Sequence, residues 1–394
     1  MSSGWHDAAR RAFPWMRDIR REVHRHPELS NEEHATAELV AQTLERLGAS
    51  PVRYAGFTGV TATIAPKATG PTVALRADLD ALPVTERTGV PFASRNAGRM
   101  HACGHDLHVA ALLGAARLAL EAPERLVGPL RLLFQPAEED GKVGGAMPLI
   151  RRGALEGVRY VLGQHVEQTV PVGSVAYRPG AMMAAADWFD ITVRGRGGHA
   201  GYPQSGPDAV VVASEIVVGL QALVSREKDP VEAGVISVGM IHGGERPNIL
   251  PSEVNLSGTV RTFSEPLREQ FQRAIARRAV GIAKSLGADA TVEYRRGYPP
   301  VVNDLGVTAA VAEGFRQAFG PRRAPLYPVP VMGAEDFSCY LTRRPGCFWW
   351  LGVATPGRSM ADKHSPNFLP DERALVTGAE ALLVAAESVQ RRGP

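Results

Sequence analysis

Apolar residues in this chain fall into short continuous runs separated by segments of helix length, and that alternation sets the expected architecture. Strand-like runs occur at 72–75, 130–134, 160–163 and 348–353, and helical periodicity marks 107–120, 305–319 and 374–389. Strands that are apolar along their whole length and alternate with helices belong to a largely parallel sheet covered on both faces. The two ends of the chain therefore predict an α/β/α domain with a mixed, largely parallel sheet.

The middle of the chain keeps a different period. Phe189, Ile191 and Val193 alternate with Asp190, Thr192 and Arg194, as in a half-buried strand. A mostly apolar helix over 208–226 follows, then strands over 235–241 and 254–261. From Ser264, a stripe of Leu267, Phe271, Ile275, Ala279, Ile282 and Leu286 opposes Arg268, Arg273, Arg277 and Lys284, which describes an amphipathic helix. Residues 290–295 supply a last strand. The order β-α-β-β-α-β is ferredoxin-like. It predicts an inserted α+β lid or dimerisation domain at 181–294, with 1–180 and 295–394 forming one discontinuous α/β domain.

Composition narrows the function classes. At 394 residues the chain exceeds what one core usually supports, which fits two domains. No window reads as long and apolar enough to span a membrane, and the N-terminus runs into charged helical sequence (Arg17, Asp18, Arg20, Arg21, Glu22) without the apolar region of a secretory signal. The three cysteines, Cys103, Cys339 and Cys347, are an odd set unsuited to a disulfide framework. The expectation is a cytoplasmic protein with no membrane partner. A net charge of +3 from 44 basic and 41 acidic residues, without basic runs interleaved with aromatics, argues against nucleic acid as a partner.

Candidate chemistry collects after the strand-like runs. Asp78 and Asp80 follow the first, Glu138 and Glu139 follow the second behind Pro136, His165 follows the third, and His364 lies beyond the fourth. Sheets of this kind gather ligands at the C-terminal ends of their strands. The segment Met100-His101-Ala102-Cys103-Gly104-His105-Asp106 adds a thiol and two imidazoles within five residues, just before a helix. Alone, it could be a buried cysteine beside hydrogen-bonded histidines. Completed by distant carboxylates and imidazoles, it suits zinc, nickel, cobalt or manganese. An extended backbone at Gly104 would turn Cys103 and His105 the same way. Glu138-Glu139-Asp140 in isolation is an ordinary solvated acidic turn. Near Asp78 and Asp80, however, two glutamates would need a cation to offset their like charge, and one could bind metal while the other acts as general base.

Seven ordered motifs go further. They are Leu75-Arg76-Ala77-Asp78-Leu79-Asp80-Ala81-Leu82-Pro83, the 100–106 segment, Gln135-Pro136-Ala137-Glu138-Glu139, Gly197-Gly198-His199-Ala200, Arg246-Pro247-Asn248-Ile249-Leu250-Pro251, Gly333-Ala334-Glu335-Asp336-Phe337 and His364-Ser365-Pro366-Asn367-Phe368. Together they resemble the M20 metallopeptidases, and more narrowly the amidohydrolase branch that includes hippurate hydrolases, N-acyl-amino-acid hydrolases and plant auxin-conjugate hydrolases. The resemblance begins as early as His24-Arg25-His26-Pro27-Glu28-Leu29-Ser30.

That resemblance implies two divalent metal ions per subunit (zinc, manganese, nickel or cobalt), with Cys103, His105, Glu139, His165 and His364 as ligands and Cys103 as the bridging candidate. It implies Glu138 as general base and later general acid, Asp78 and Asp80 as orienting carboxylates, and His199 as an oxyanion donor supplied by a partner subunit. Asn248 and Arg261 resemble positions that bind a substrate carboxylate. His24, His26, His34, His101, His108 and His242 are expected to be structural. The implied activity is attack of a metal-bridging water on the amide of an N-acyl amino acid (N-acetyl, benzoyl or similar), giving a carboxylic acid and a free amino acid. A dipeptidase or carboxypeptidase on the same scaffold is the alternative. The implied partners are a small-molecule substrate and a second copy of the chain in a homodimer, with a tetramer as the further possibility.

Overall fold

The structure, a computed structural model, describes residues 4–65, 67–141, 143–357 and 359–392. It contains two compact units, one comprising Met1–Gly180, Val302–Val329 and Asp336–Pro394, the other Ala181–Val301 and Pro330–Glu335. In chain order, the strands of the two main sheets are β1 (Val52–Tyr54), β2 (Phe57–Ile64), β3 (Thr72–Asp78), β4 (Leu130–Gln135), β5 (Val158–Pro171), β6 (Val175–Tyr177), β7 (Ala185–Arg194), β8 (Gly234–His242), β9 (Glu253–Thr262), β10 (Asp289–Arg296) and β11 (Gly346–Ala354). The longer helices are α1 (His6–Arg25), α2 (His34–Arg46), α3 (His105–Glu121), α4 (Ala209–Ala222), α5 (Glu265–Ser285), α6 (Leu305–Phe319) and α7 (Ala374–Gln390).

The first unit is built on a sheet of order β1-β2-β4-β3-β5-β11-β6. Its centre is parallel, β4 to β3, β3 to β5 and β5 to β11, and its margins are antiparallel. The central strands are buried on both faces, as their unbroken apolar runs require. Helix α3 is buried around nearly its whole circumference and packs against α1 and α7, its alanines allowing close approach.

Two features of this sheet depart from the sequence pattern. Strand β2 carries Thr58 and Thr61 at buried positions, which hides it from a search for apolar runs. The threonines are satisfied internally, Thr58 donating to Glu33 at 2.6 Å and Thr61 hydrogen-bonding the Tyr54 hydroxyl at 2.9 Å. Strand β5 runs well past its expected end, because β11 pairs along it from Gly346 opposite Val161 to Ala354 opposite Pro171. His165 therefore lies within a strand, opposite Trp350, and not in a following loop.

The second unit is an antiparallel sheet of order β8-β9-β7-β10 with α4 and α5, connected β-α-β-β-α-β as in a ferredoxin-like layer. Alternation along β7 and β9 puts Phe189, Ile191, Val193, Val254, Leu256 and Val260 into one core with Ile216, Leu220, Phe271 and Ile275 of the helices. Asp208 and Ser264 cap α4 and α5, accepting hydrogen bonds from Val210 N and Leu267 N. Contrary to the expectation from sequence, the run Ala209–Glu227 is long and apolar enough to cross a membrane by length and composition. One stripe of it, Val212, Ala213, Ile216 and Leu220, is core, while Val211 and Val218 on the other side are 52% and 69% exposed.

Candidate metal centre

All five expected ligands and Glu138 lie in the first unit. Gly104 caps α3 in the left-handed region, φ +84°, and not in the extended conformation that the Cys-x-His spacing suggested. A side chain at Gly104 would be strained there, and its Cβ would lie 2.7 Å from Val166 Cγ2. The left-handed turn leaves Cys103 at the end of the incoming loop and makes His105 the first residue of the helix, with both side chains buried.

Hydrogen bonds fix which imidazole nitrogen each histidine offers. His105 Nδ1 donates to Asp80 O at 2.9 Å, so in the neutral ring Nε2 carries the lone pair, and that atom is buried and makes no hydrogen bond. His165 has the same tautomer: Nδ1 donates to Val166 O at 2.8 Å, and Nε2 stands 3.3 Å from Cys103 Sγ. His108 differs. Its Nδ1 donates to Asp78 Oδ1 at 2.6 Å and its Nε2 accepts from Val166 N at 3.0 Å, so both nitrogens are committed to the protein.

The two glutamates sit on the turn after β4. Ala137 takes a left-handed conformation, φ +54°, and Glu138–Asp140 form a 3₁₀ turn in which Glu138 is buried. Asp80 ties this turn to His105. Its Oδ2 accepts from Glu139 N at 2.9 Å and from Ser30 Oγ at 2.7 Å, while its Oδ1 lies 3.3 Å from His105 Nδ1. Glu139 Oε1 is buried and accepts no hydrogen bond, yet lies 3.9 Å from His105 Nε2 and 3.4 Å from His364 Nε2. His364 itself is on a loop, at φ +66°, anchored through its amide to Ala102 O at 2.8 Å.

The donor atoms thus gather into two trios that share one member. Cys103 forms one with His105 and His165, and another with Glu139 and His364; within each, the atoms lie within 4.8 Å of one another. His105, Glu138 and Glu139 form a further group on the same criterion.

The electrostatics favour a cation among these groups. Burial, and then the Glu139 charge, push the Cys103 thiol up to about 12, so the thiolate needs a positive partner. Burial alone would lower His105, but Asp78 foremost holds it well above its ordinary value: the carboxylates retain a proton where a metal would supply charge. Burial opposes ionisation of Asp78 as well, but Arg76, His105 and His108 outweigh it and hold the carboxyl well below its usual range. His165 is pushed well below its ordinary value by burial and then by Lys363, so it stays neutral, as a metal ligand must be. Sulfur, nitrogen and oxygen donors with unpartnered buried atoms fit a borderline divalent ion.

Residues 74–388 match the family described as peptidase family M20/M25/M40. The chain belongs to that family. It is 41% identical over 369 residues to N-acetyl-L-cysteine deacetylase of Bacillus subtilis, covering 94% of this chain and 86% of the relative. Thermostable carboxypeptidase 1 of Saccharolobus solfataricus is 40% identical over 370 residues, 93% of each chain. Among solved structures, a dinuclear metal-binding peptidase of the M20 family from Bacillus subtilis superposes with a TM-score of 0.85 at 33% identity, over 97% of this chain and 99% of the other. This M20 chain is accordingly a metal-dependent hydrolase of the family's amidohydrolase branch, and it uses divalent metal.

The remaining expected residues of this M20 enzyme are in the second unit. His199 and Asn248 are neighbours there: Gly198–His199 pairs with Ile249–Leu250, and Ala200 N donates to Asn248 O at 3.1 Å. His199 Nδ1 accepts from Gly201 N at 2.9 Å, which leaves its proton on Nε2. Arg261 is half-buried on β9, where its Nη1 donates to Val260 O at 3.1 Å.

Asp336 and Lys363 have no assigned role in the sequence, and His24 and His101 are expected there only to be structural. Asp336, from a motif noted without a function, accepts from Arg76 Nη2 at 3.0 Å, Gln135 Nε2 at 2.9 Å and Ala146 N at 3.0 Å, and Arg76 in turn pairs with Asp78 at 2.5 Å. Lys363, beside His364, pairs with Glu167 at 2.9 Å. His101 is buried with neither ring nitrogen partnered, and burial pushes it down to about 4; it joins no ligand group. His24 belongs to a buried cluster with Asp106, 2.8 Å away, and Arg20. In each case the deciding fact is a tertiary approach that spacing alone does not encode.

Proposed function

We propose that this M20 enzyme is a dinuclear amidohydrolase that cleaves N-acyl amino acids, N-acetyl, N-benzoyl or similar, to a carboxylic acid and a free amino acid. The observation that carries the reading is the pair of donor trios sharing Cys103. In this reading Cys103, His105 and His165 hold one divalent ion, and Cys103, Glu139 and His364 the other, with zinc, manganese, nickel or cobalt as the candidates. Two such ions, when bound, acidify water and polarise a carbonyl oxygen. Glu138, buried beside His105 and Glu139, takes a proton from the attacking water and delivers it to the leaving nitrogen. Asp80 holds His105 and the Glu139 backbone in register, and Asp78 keeps His108 and the His105 surroundings negative. His199 donates from Nε2 to the developing oxyanion, and Asn248 and Arg261 receive the substrate carboxylate.

A hydrolysis screen on metal-reconstituted protein tests the substrate class. N-acetyl, N-benzoyl, longer N-acyl and indole-acyl amino acids are compared with dipeptides, with free amino acid as the readout. At least one N-acyl class is expected to be cleaved faster than any dipeptide. The reverse order would favour the peptidase alternative, to which the similarity to a carboxypeptidase gives some support.

The oligomer belongs to the same proposal. Strand β8 is an edge strand, paired among the described residues with β9, and its Met240 and Ile241 are 53% and 52% exposed; Val211 and Val218 of α4 add a second exposed apolar surface in that unit. Open edges and apolar faces of this kind are ordinarily covered, and a second copy of the chain is the occupant we infer. Val218→Asp is expected to shift the protein toward monomer in sedimentation. Because His199 is assigned to the neighbouring site, kcat should fall with it, by about 10²–10³-fold for the loss of one oxyanion donor. A fully active monomer would overturn that assignment, and a stable tetramer would extend it.

A further inference from the structure

The Glu138-Glu139 turn is held by its backbone at two points, and both lead back to one short segment near the N-terminus. Glu139 N donates to Asp80 Oδ2, which also accepts the Ser30 hydroxyl. Ala137 N donates to Glu33 Oε1 at 2.8 Å. Glu33 Oε1 accepts in addition from Asn31 N at 3.0 Å, and Oε2 accepts from Thr58 Oγ1 at 2.6 Å. Ala137 and Asn31 are two of the four non-glycine residues at positive φ among the described residues, at +54° and +67°. One fully buried carboxylate therefore pins two left-handed residues, and one of them is immediately before Glu138. Such backbone conformations are strained for L-residues and persist when their surroundings over-determine them.

The Asn31 amide, the Thr58 hydroxyl and the Ala137 amide that hydrogen-bond Glu33 are all neutral donors. Burial pushes its pKa up to about 7, with the Thr58 hydrogen bond opposing, so the placement is unfavourable for a carboxylate as such. What the arrangement provides is geometry: a fixed acceptor on the amide that sets where Glu138 and Glu139 begin.

Resting on the site reading above, we propose that Glu33 is a positioning residue for the metal centre, fixing the Ala137 turn so that Glu139 meets His105 and His364 and Glu138 lies beside them. The contact is made across 104 residues of sequence, and the donors to Glu33, Asn31 N, Thr58 Oγ1 and Ala137 N, are none of the proposed metal ligands.

The test compares Glu33→Ala, Glu33→Gln and Thr58→Val with the wild-type chain, each stripped with chelator and titrated with Mn²⁺ by calorimetry, and each assayed for kcat and KM after reloading. Loss of an outer supporting group ordinarily weakens metal affinity or activity by about 10–100-fold. Glu33→Ala is expected to show a loss of that size in Mn²⁺ affinity and in kcat, with KM little changed. Glu33→Gln, which keeps an oxygen acceptor for the Ala137 amide, should recover most of both. Thr58→Val removes the other contact of the same carboxylate and should lower the unfolding midpoint while leaving Mn²⁺ affinity near wild type. If Glu33→Ala does not fold, the Glu33→Gln and Thr58→Val pair decides: a loss of tenfold or more in Mn²⁺ affinity in either of these two variants overturns the positioning role. Glu33→Ala with wild-type Mn²⁺ affinity overturns it directly. Failure of the wild-type chain to bind Mn²⁺ would instead overturn the site reading, and this proposal with it.

Discussion

Glu138→Ala is expected to lower kcat for N-acyl amino acid hydrolysis by about 10³-fold, within the usual range for removal of a general acid and base, while the protein keeps its full complement of divalent metal. The separation between the two readouts is what makes this variant informative. Glu138 and Glu139 are adjacent, and either could in principle serve as ligand or base. The structure distinguishes their surroundings. Glu139 Oε1 reaches both His105 and His364, and its donor completes the trio with Cys103, whereas Glu138 gathers with His105 and Glu139 but with neither Cys103 nor His364. Removing the ligand should therefore reduce bound metal, and removing the base should not. Glu138→Gln preserves shape and burial and should be nearly as inactive, because an amide cannot take the proton. Activity within tenfold of wild type in either variant, with metal bound, would sink the role assigned to Glu138.

How much of this was legible in the sequence depends on the range of the interaction. The central strands β3, β4, β5 and β11 announce themselves because burial on both faces demands apolar side chains at every position. The inserted layer is legible for the opposite reason, since β7 and β9 have one face in a core and alternate. Strand β2 was not, because Thr58 and Thr61 occupy buried positions and are satisfied by partners remote in sequence. The site shows the same division. Local clustering brings Cys103 beside His105 and Glu138 beside Glu139, and the strand ends suggest His165 and His364. What no spacing could give is the choice between His105 and His108, which lie three residues apart on one helix. In the proposed site the choice rests on the Val166 amide, which occupies His108 Nε2. The convergence of Cys103 and His105 also had a different cause from the one expected, a left-handed glycine and not an extended tripeptide. Glu33 and Asp336 were silent as functional groups, because a carboxylate reveals its role only when its donors are known.

Cys103→Ala is expected to have the larger effect on metal, because it is the one residue common to both trios. Its loss leaves His105 with His165 on one side and Glu139 with His364 on the other, two donors each from these trios, where three protein ligands are the usual minimum for a catalytic site. Affinity for divalent ions should fall by more than the roughly 10–100-fold produced by losing an outer supporting group, with a metal-to-protein ratio below that of wild type after reloading and gel filtration. Cys103→Ser should behave alike, since burial beside Glu139 already pushes the thiol up to about 12 and a hydroxyl is a far weaker acid. The apo fold should survive, because Cys103 is small and its polar contacts are with the imidazoles of His165, at 3.3 Å, and His105. Metal that binds the native state stabilises it by RT ln(1 + [L]/Kd), so wild type should show a metal-dependent rise in Tm. In Cys103→Ala that rise should shrink or vanish at equal metal concentration, while the apo Tm values remain close. A variant that retains both the wild-type metal ratio and the wild-type rise would show that the two trios do not depend on a shared thiolate, and the dinuclear arrangement proposed for this site would have to be abandoned.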